Sequence, residues 1–170
     1  MPRKARRQPV EIAVVGEVDD WQKDVMDALL EVPPGGECVF YIDSSGGSIY
    51  GALAVMALMK HRKLKATAIV LGECSSAALW LFAGCSHRLV TPFSACLFHP
   101  MRWESEKRVT SVEAVSWARH FQQLEQEMDE LLLRLLGKGS EEIRSWTAEE
   151  RFVSAREMVA AGLAEMMEIA

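Results

Sequence analysis

Short runs rich in β-branched and aromatic residues alternate along this chain with segments of helical spacing, and that alternation constrains the fold more than any other feature. The runs "EIAVVGEV" (11–18), "CVFYID" (38–43), "KATAIVL" (65–71), "RLVTP" (88–92), "SACLFH" (94–99) and "AEMMEI" (164–169) have strand character. Strands separated by helical segments give an α/β domain. At 170 residues, 49% hydrophobic and 25% charged, the chain is long enough for one hydrophobic core and short for two. The expected organisation is one domain over 10–170. A basic tail over 1–9 precedes it, because Arg3, Lys4, Arg6 and Arg7 come before any apolar periodicity.

The spacing predicts a first helix from Asp19 or Asp20, whose carboxylates supply capping oxygens. Trp21, Val25, Met26, Leu29 and Leu30 share one face, and "PPGG" ends it. A second helix is expected from Ser48 through "IYGALAVMALM"; it is apolar almost all round and therefore buried. The longest periodic stretch runs from Ser111 to Leu136, with apolar residues at mostly three- and four-residue steps from Val115 to Leu135. As a helix it spans about 39 Å at about 1.5 Å per residue. It either lies across the sheet as a core helix or packs in part against another subunit. A short last helix opens at "SARE", where Ser154 and Glu157 have capping-box spacing, and stops at Gly162.

A net charge of −5 argues against nucleic acid as the main partner. No stretch approaches the roughly 18 apolar residues of a membrane span, so a cytoplasmic location is expected. Cys38, Cys74, Cys85 and Cys96 lie in or beside apolar runs without CxxC spacing and read as small buried hydrophobes. Neither a GxGxxG nor a GK[ST] pattern is present, which leaves nucleotide binding unsupported.

Two strand–turn–helix segments carry residues that could do chemistry. In "IDSSGGSIYG", Gly46 and Gly47 separate a strand from a helix, either as a plain tight turn or as backbone brought close to a ligand. In "ATAIVLGECSSAALWLFAG", Ser75 and Ser76 fall at a helix start, where a serine either caps the helix or acts as a nucleophile near N–H groups that stabilise an oxyanion. Of the four histidines, His61 lies in the charged "KHRK", His87 in a loop, and His120 beside Arg119 in the long helix. His99 alone closes an apolar strand, and a strand end is a rigid support for a base.

The order and spacing of "YIDSSGGSIYGALAVMALM", "LGECSSAALWLFAGCSHRLVTPFSACLFHP" and "TAEERFVSAREMVAAGLAEMM" resemble the proteolytic subunit of the Clp protease, the ClpP family, from about Val10 to the C-terminus. The family's pattern is SPGGS, then GQAASMGA, then an apolar strand ending in HQP, then DRFLSAxEAxxYGL. The resemblance implies a ClpP/crotonase-type spiral of ββα units, in which the long helix is the handle that joins stacked rings. It implies Ser76 as nucleophile, His99 as base, and the backbone N–H groups of Gly47 and Ala77 as oxyanion donors. The acid falls on Glu150 where the family has aspartate, with Asp43 and Glu149 as alternatives.

The implied activity is hydrolysis of peptides or unfolded proteins inside a homo-oligomeric heptameric ring or double ring, with no cofactor. The polar segment ahead of the first strand is shorter than the family's, so the expectation leans against coupling to an ATP-dependent unfoldase. Serine at 45, alanine at 78, the missing glutamine after His99, and "MRWESEKRVTS" in place of a glycine-rich stretch depart from the family pattern. They imply altered substrate contacts. A ClpP-like scaffold or regulatory subunit of reduced or lost activity and, more remotely, a crotonase-type acyl-CoA enzyme are the rival functions.

Overall fold

A computed structural model describes residues 8–105 and 108–169. The basic residues of the expected tail lie outside the described residues, as do Glu106 and Lys107. Seven strands form one mixed sheet: β1 (Val10–Glu17), β2 (Glu37–Gly46), β3 (Lys65–Ser75), β4 (His87–Val90), β5 (Ala95–Phe98), β6 (Arg151–Ser154) and β7 (Glu165–Met166). The main path runs β1-β2-β3-β4-β7 with parallel pairing throughout. β5 continues the other half of β3 in parallel and pairs with β6 antiparallel. This is the mixed α/β architecture that the strand–helix alternation predicts.

The helices are α1 (Val18–Glu31), α2 (Ile49–His61), α3 (Ala78–Gly84), α4 (Ser111–Leu136), α5 (Ser140–Ala148) and α6 (Ala155–Ala160). α1 starts a residue ahead of the expected aspartates. Asp20 does cap it, accepting from the Glu17 N–H at 2.9 Å. Ser48 caps α2 through the Gly51 N–H, and Ser154 and Glu157 form the reciprocal box that starts α6.

The core is continuous across the strands and α2, with Phe40, Ile42, Val55, Val70 and Phe82 fully enclosed. All four cysteines are buried free thiols. Burial raises the Cys38 thiol to about 11, as expected for thiols that act as small hydrophobes.

α4 divides in two. Its buried residues, Met128, Leu132 and Leu136, all lie in the C-terminal half. There the Trp80 indole N–H of α3 donates to the Met128 carbonyl at 3.2 Å. The first half is mostly exposed, with Val112 at 77% and Val115 at 60%, and it meets α2 where His120 Nε2 lies 2.5 Å from the Tyr50 hydroxyl. Two elements were not anticipated, α5 and β6. α5 buries only Ile143 and Trp146, and Trp146 stacks obliquely on Phe98 of β5, 5.4 Å between ring centres. No helix among the described residues is long and apolar enough to cross a membrane.

Candidate active site

Register brings the candidate residues to one edge of the sheet. Ser75 lies opposite Leu97 in the parallel β3–β5 pair, so the chain leaves β3 at Ser76 where β5 is about to end in Phe98 and His99. The Ser76 N–H closes that edge on the Leu97 carbonyl at 3.1 Å. In the antiparallel β5–β6 pair, Phe98 lies opposite Arg151, which brings Glu150 to the same end of the sheet.

Ser76 sits in a strained turn. Its φ is +52°, a left-handed value that a non-glycine residue adopts at an energetic cost, on the tight bend between β3 and α3. A strand-to-helix elbow of this kind holds a serine hydroxyl clear of its own strand. Ser75, the preceding residue, is fully buried, and among the described residues its hydroxyl has no hydrogen-bond partner.

The glycine pair lies against this elbow. A Cβ on Gly46, whose φ is +100°, would lie 2.6 Å from Ser76 Cβ and 2.7 Å from the Ser75 carbonyl oxygen. The close approach therefore requires glycine. Ser44 fixes the turn from inside. Its hydroxyl donates to the Gly16 carbonyl at 2.6 Å and accepts from the Trp21 indole and the Gly46 N–H. Every hydrogen-bonding capacity of this buried hydroxyl is used, which locks the end of β2 to α1.

Gly47, Ser76, Ala77 and His99 line one cavity of about 350 Å³, within the usual range for ligand sites. The sequence reading missed its other walls. Met101 and Arg102 come from the segment after β5, and Phe121, Glu125, Met128 and Asp129 from α4. The four- and three-residue steps from Phe121 through Glu125 to Met128 place them on one helix face, a signal legible in the sequence. Arg102 stands in a stretch with no periodicity and left no such signal. Partial desolvation at the lip of the cavity, and then the neighbouring Glu125, push the Asp129 carboxyl above its ordinary range, while Arg144 opposes the shift.

The acids separate by partner. Glu150, at a left-handed φ of +50°, pairs with the Arg102 guanidinium. Asp43 accepts from the Glu73 N–H at 3.0 Å and lies over Gly72, bridging the irregularity between β2 and β3. Glu149 accepts from the Ser145 hydroxyl at 2.7 Å, and Glu125 from the Met101 N–H at 2.8 Å. His99 Nδ1 lies 2.6 Å from the Pro100 carbonyl oxygen. Among the described residues, no hydrogen bond joins His99 to Ser76 or to any of these acids. Among the described residues, no group of three or more His, Cys, Asp or Glu side chains is placed to hold a metal.

The sequence pattern of the Clp protease family matches residues 7–168 of the 170. The chain belongs to the Clp protease family. The three motifs that suggested ClpP all fall within the matched residues, and the cavity lies where two of them converge. Membership places the chain among ClpP-like serine peptidases in kind.

Proposed function

We propose that the chain is a serine endopeptidase acting on peptides or unfolded proteins, with Ser76 as nucleophile and His99 as general base. The observation that carries this reading is the meeting of Ser76, on its strained elbow, and His99 in one cavity beside a glycine turn too tight for any side chain. His99 takes the Ser76 proton as the hydroxyl oxygen attacks a peptide carbonyl carbon. The resulting oxyanion accepts hydrogen bonds from the Gly47 and Ala77 N–H groups. His99 then returns the proton to the departing amine, and water releases the acyl group by the same route. Because Ala77 contributes only its backbone, the absence of the family's methionine there leaves this donor in place. The scheme needs no metal or organic cofactor.

The proposed working form is a cytoplasmic homo-oligomeric ring, heptameric or doubled, that encloses the serines. The exposed apolar residues of the first half of α4, Val112 and Val115, support it, because a face of this kind gains by burial against another subunit. A scaffold subunit is the second reading. The capture of Glu150 by Arg102 and the missing hydrogen bond between Ser76 and His99 favour it.

Hydrolysis of fluorogenic peptides and of an unfolded protein by the assembled chain tests the proposal. Turnover is expected in the wild type, with losses of about 10³-fold or more in Ser76→Ala and His99→Gln. An assembled wild type that neither hydrolyses peptide nor reacts with a fluorophosphonate supports the scaffold reading instead.

A further inference from the structure

We infer that the main-chain carbonyl of Pro100, rather than a carboxylate, orients His99, so that the site works as a Ser76–His99 pair held by backbone, with Glu150 outside it. The inference rests on the serine-peptidase reading and names the third member of that same site.

A histidine that takes a proton from a serine hydroxyl must present one bare ring nitrogen, and the hydrogen bond made by the other nitrogen decides which one is bare. His99 Nδ1 lies 2.6 Å from the Pro100 carbonyl oxygen. A carbonyl only accepts, so Nδ1 carries the proton and Nε2 keeps its lone pair. This is the tautomer that a triad carboxylate selects. The pyrrolidine ring fixes φ of Pro100 near −65°. The direction of its carbonyl is therefore set with one torsion fewer than at other residues, and as the next residue in the chain it cannot drift from the imidazole.

The carboxylates are engaged elsewhere. Glu150 is held by Arg102, and its side chain is 49% exposed, whereas an acid that steadies an imidazolium works from a buried position. Glu125 is occupied by the Met101 N–H, and Asp129 lies near Arg144. The ion pair instead joins Glu150 to Arg102, whose side chain is 69% exposed. A neutral carbonyl supplies the tautomer and the aim but no negative charge beneath the imidazolium. Acylation is therefore slower than at a carboxylate-backed site, yet independent of Glu150.

The test combines ¹⁵N-histidine NMR of the assembled protein with fluorophosphonate inactivation rates, on wild type, Glu150→Gln and Glu150→Ala. His99→Gln assigns the ring signals. The expected signature of the neutral ring is a protonated Nδ1 and a bare Nε2, unchanged in both variants, with inactivation rates within about tenfold of wild type. A reversed or scrambled tautomer in either variant, or a rate that falls further than that, overturns the inference. A wild type that does not react at all overturns the peptidase reading. In that case the ring signature in Glu150→Ala decides the inference: retention of the Nδ1 proton supports it and loss of that proton overturns it.

Discussion

Replacing Ser75 by alanine should make the protein more stable, although the substitution adjoins the proposed nucleophile. The Ser75 side chain is fully buried, and among the described residues its Oγ has no hydrogen-bond partner. An unpaired buried hydroxyl costs about 1–3 kcal/mol, because folding takes it from water and returns no bond. Removing one oxygen forfeits only a few dispersion contacts, each about 0.1–0.2 kcal/mol. The net effect is a gain of about 1 kcal/mol, which for a chain of this size raises Tm by about 2–4 °C. Urea denaturation and calorimetry at fixed protein concentration read it, since assembly would otherwise shift the midpoint. Fluorophosphonate labelling should be unchanged. A loss of about 1 kcal/mol or more would refute the reasoning, because the hydroxyl would then have a bonding partner. Loss of labelling with intact folding would move the nucleophile to Ser75.

Gly46→Ala should have the opposite outcome. Its Cβ would overlap Ser76 Cβ and the Ser75 carbonyl at a φ of +100°. Overpacking and backbone strain together should cost about 2–6 kcal/mol and abolish labelling, measured by denaturation and by probe incorporation. Val115→Asp, at a residue 60% exposed on the first half of α4, should leave the circular dichroism of the chain native-like and shift the assembly to smaller species in sedimentation velocity. The Ser154 hydroxyl and then its N–H hold the Glu157 carboxyl below its ordinary range, with a smaller contribution from Arg151. A group depressed in the folded state stabilises above its unfolded pKa, and the contribution fades as pH falls through the folded value. The stability difference between wild type and Glu157→Gln should therefore stay constant above about pH 5 and shrink below about pH 4. Surface exposure keeps that difference under about 1 kcal/mol.

β3 was legible as a nearly continuous apolar run because Ala68, Ile69 and Val70 are buried in succession, and β1 by alternation, with Ile12 and Val14 buried between exposed neighbours. α4 was legible by its period, and so was the imbalance between its length and what the domain covers. β6 escaped notice because it is four residues long and turns Phe152 outward, 61% exposed, while only Val153 is buried. α5 has two buried residues in nine, too few to define a face. At the site, Ser76 and His99 were readable because each follows the end of an apolar strand at a turn. The partner of Glu150 was not readable. Whether a carboxylate at the end of β6 reaches an imidazole or a guanidinium depends on the path of the segment after β5, where "MRWES" has neither strand nor helical period.

Reaction of the assembled wild type with a fluorophosphonate, followed by intact-mass analysis and peptide mapping, tests whether Ser76 is the nucleophile. One phosphonyl adduct per reactive chain is expected, carried on Ser76 and absent from Ser76→Ala. An adduct on Ser75 or any other residue, or labelling that persists in Ser76→Ala, would contradict it.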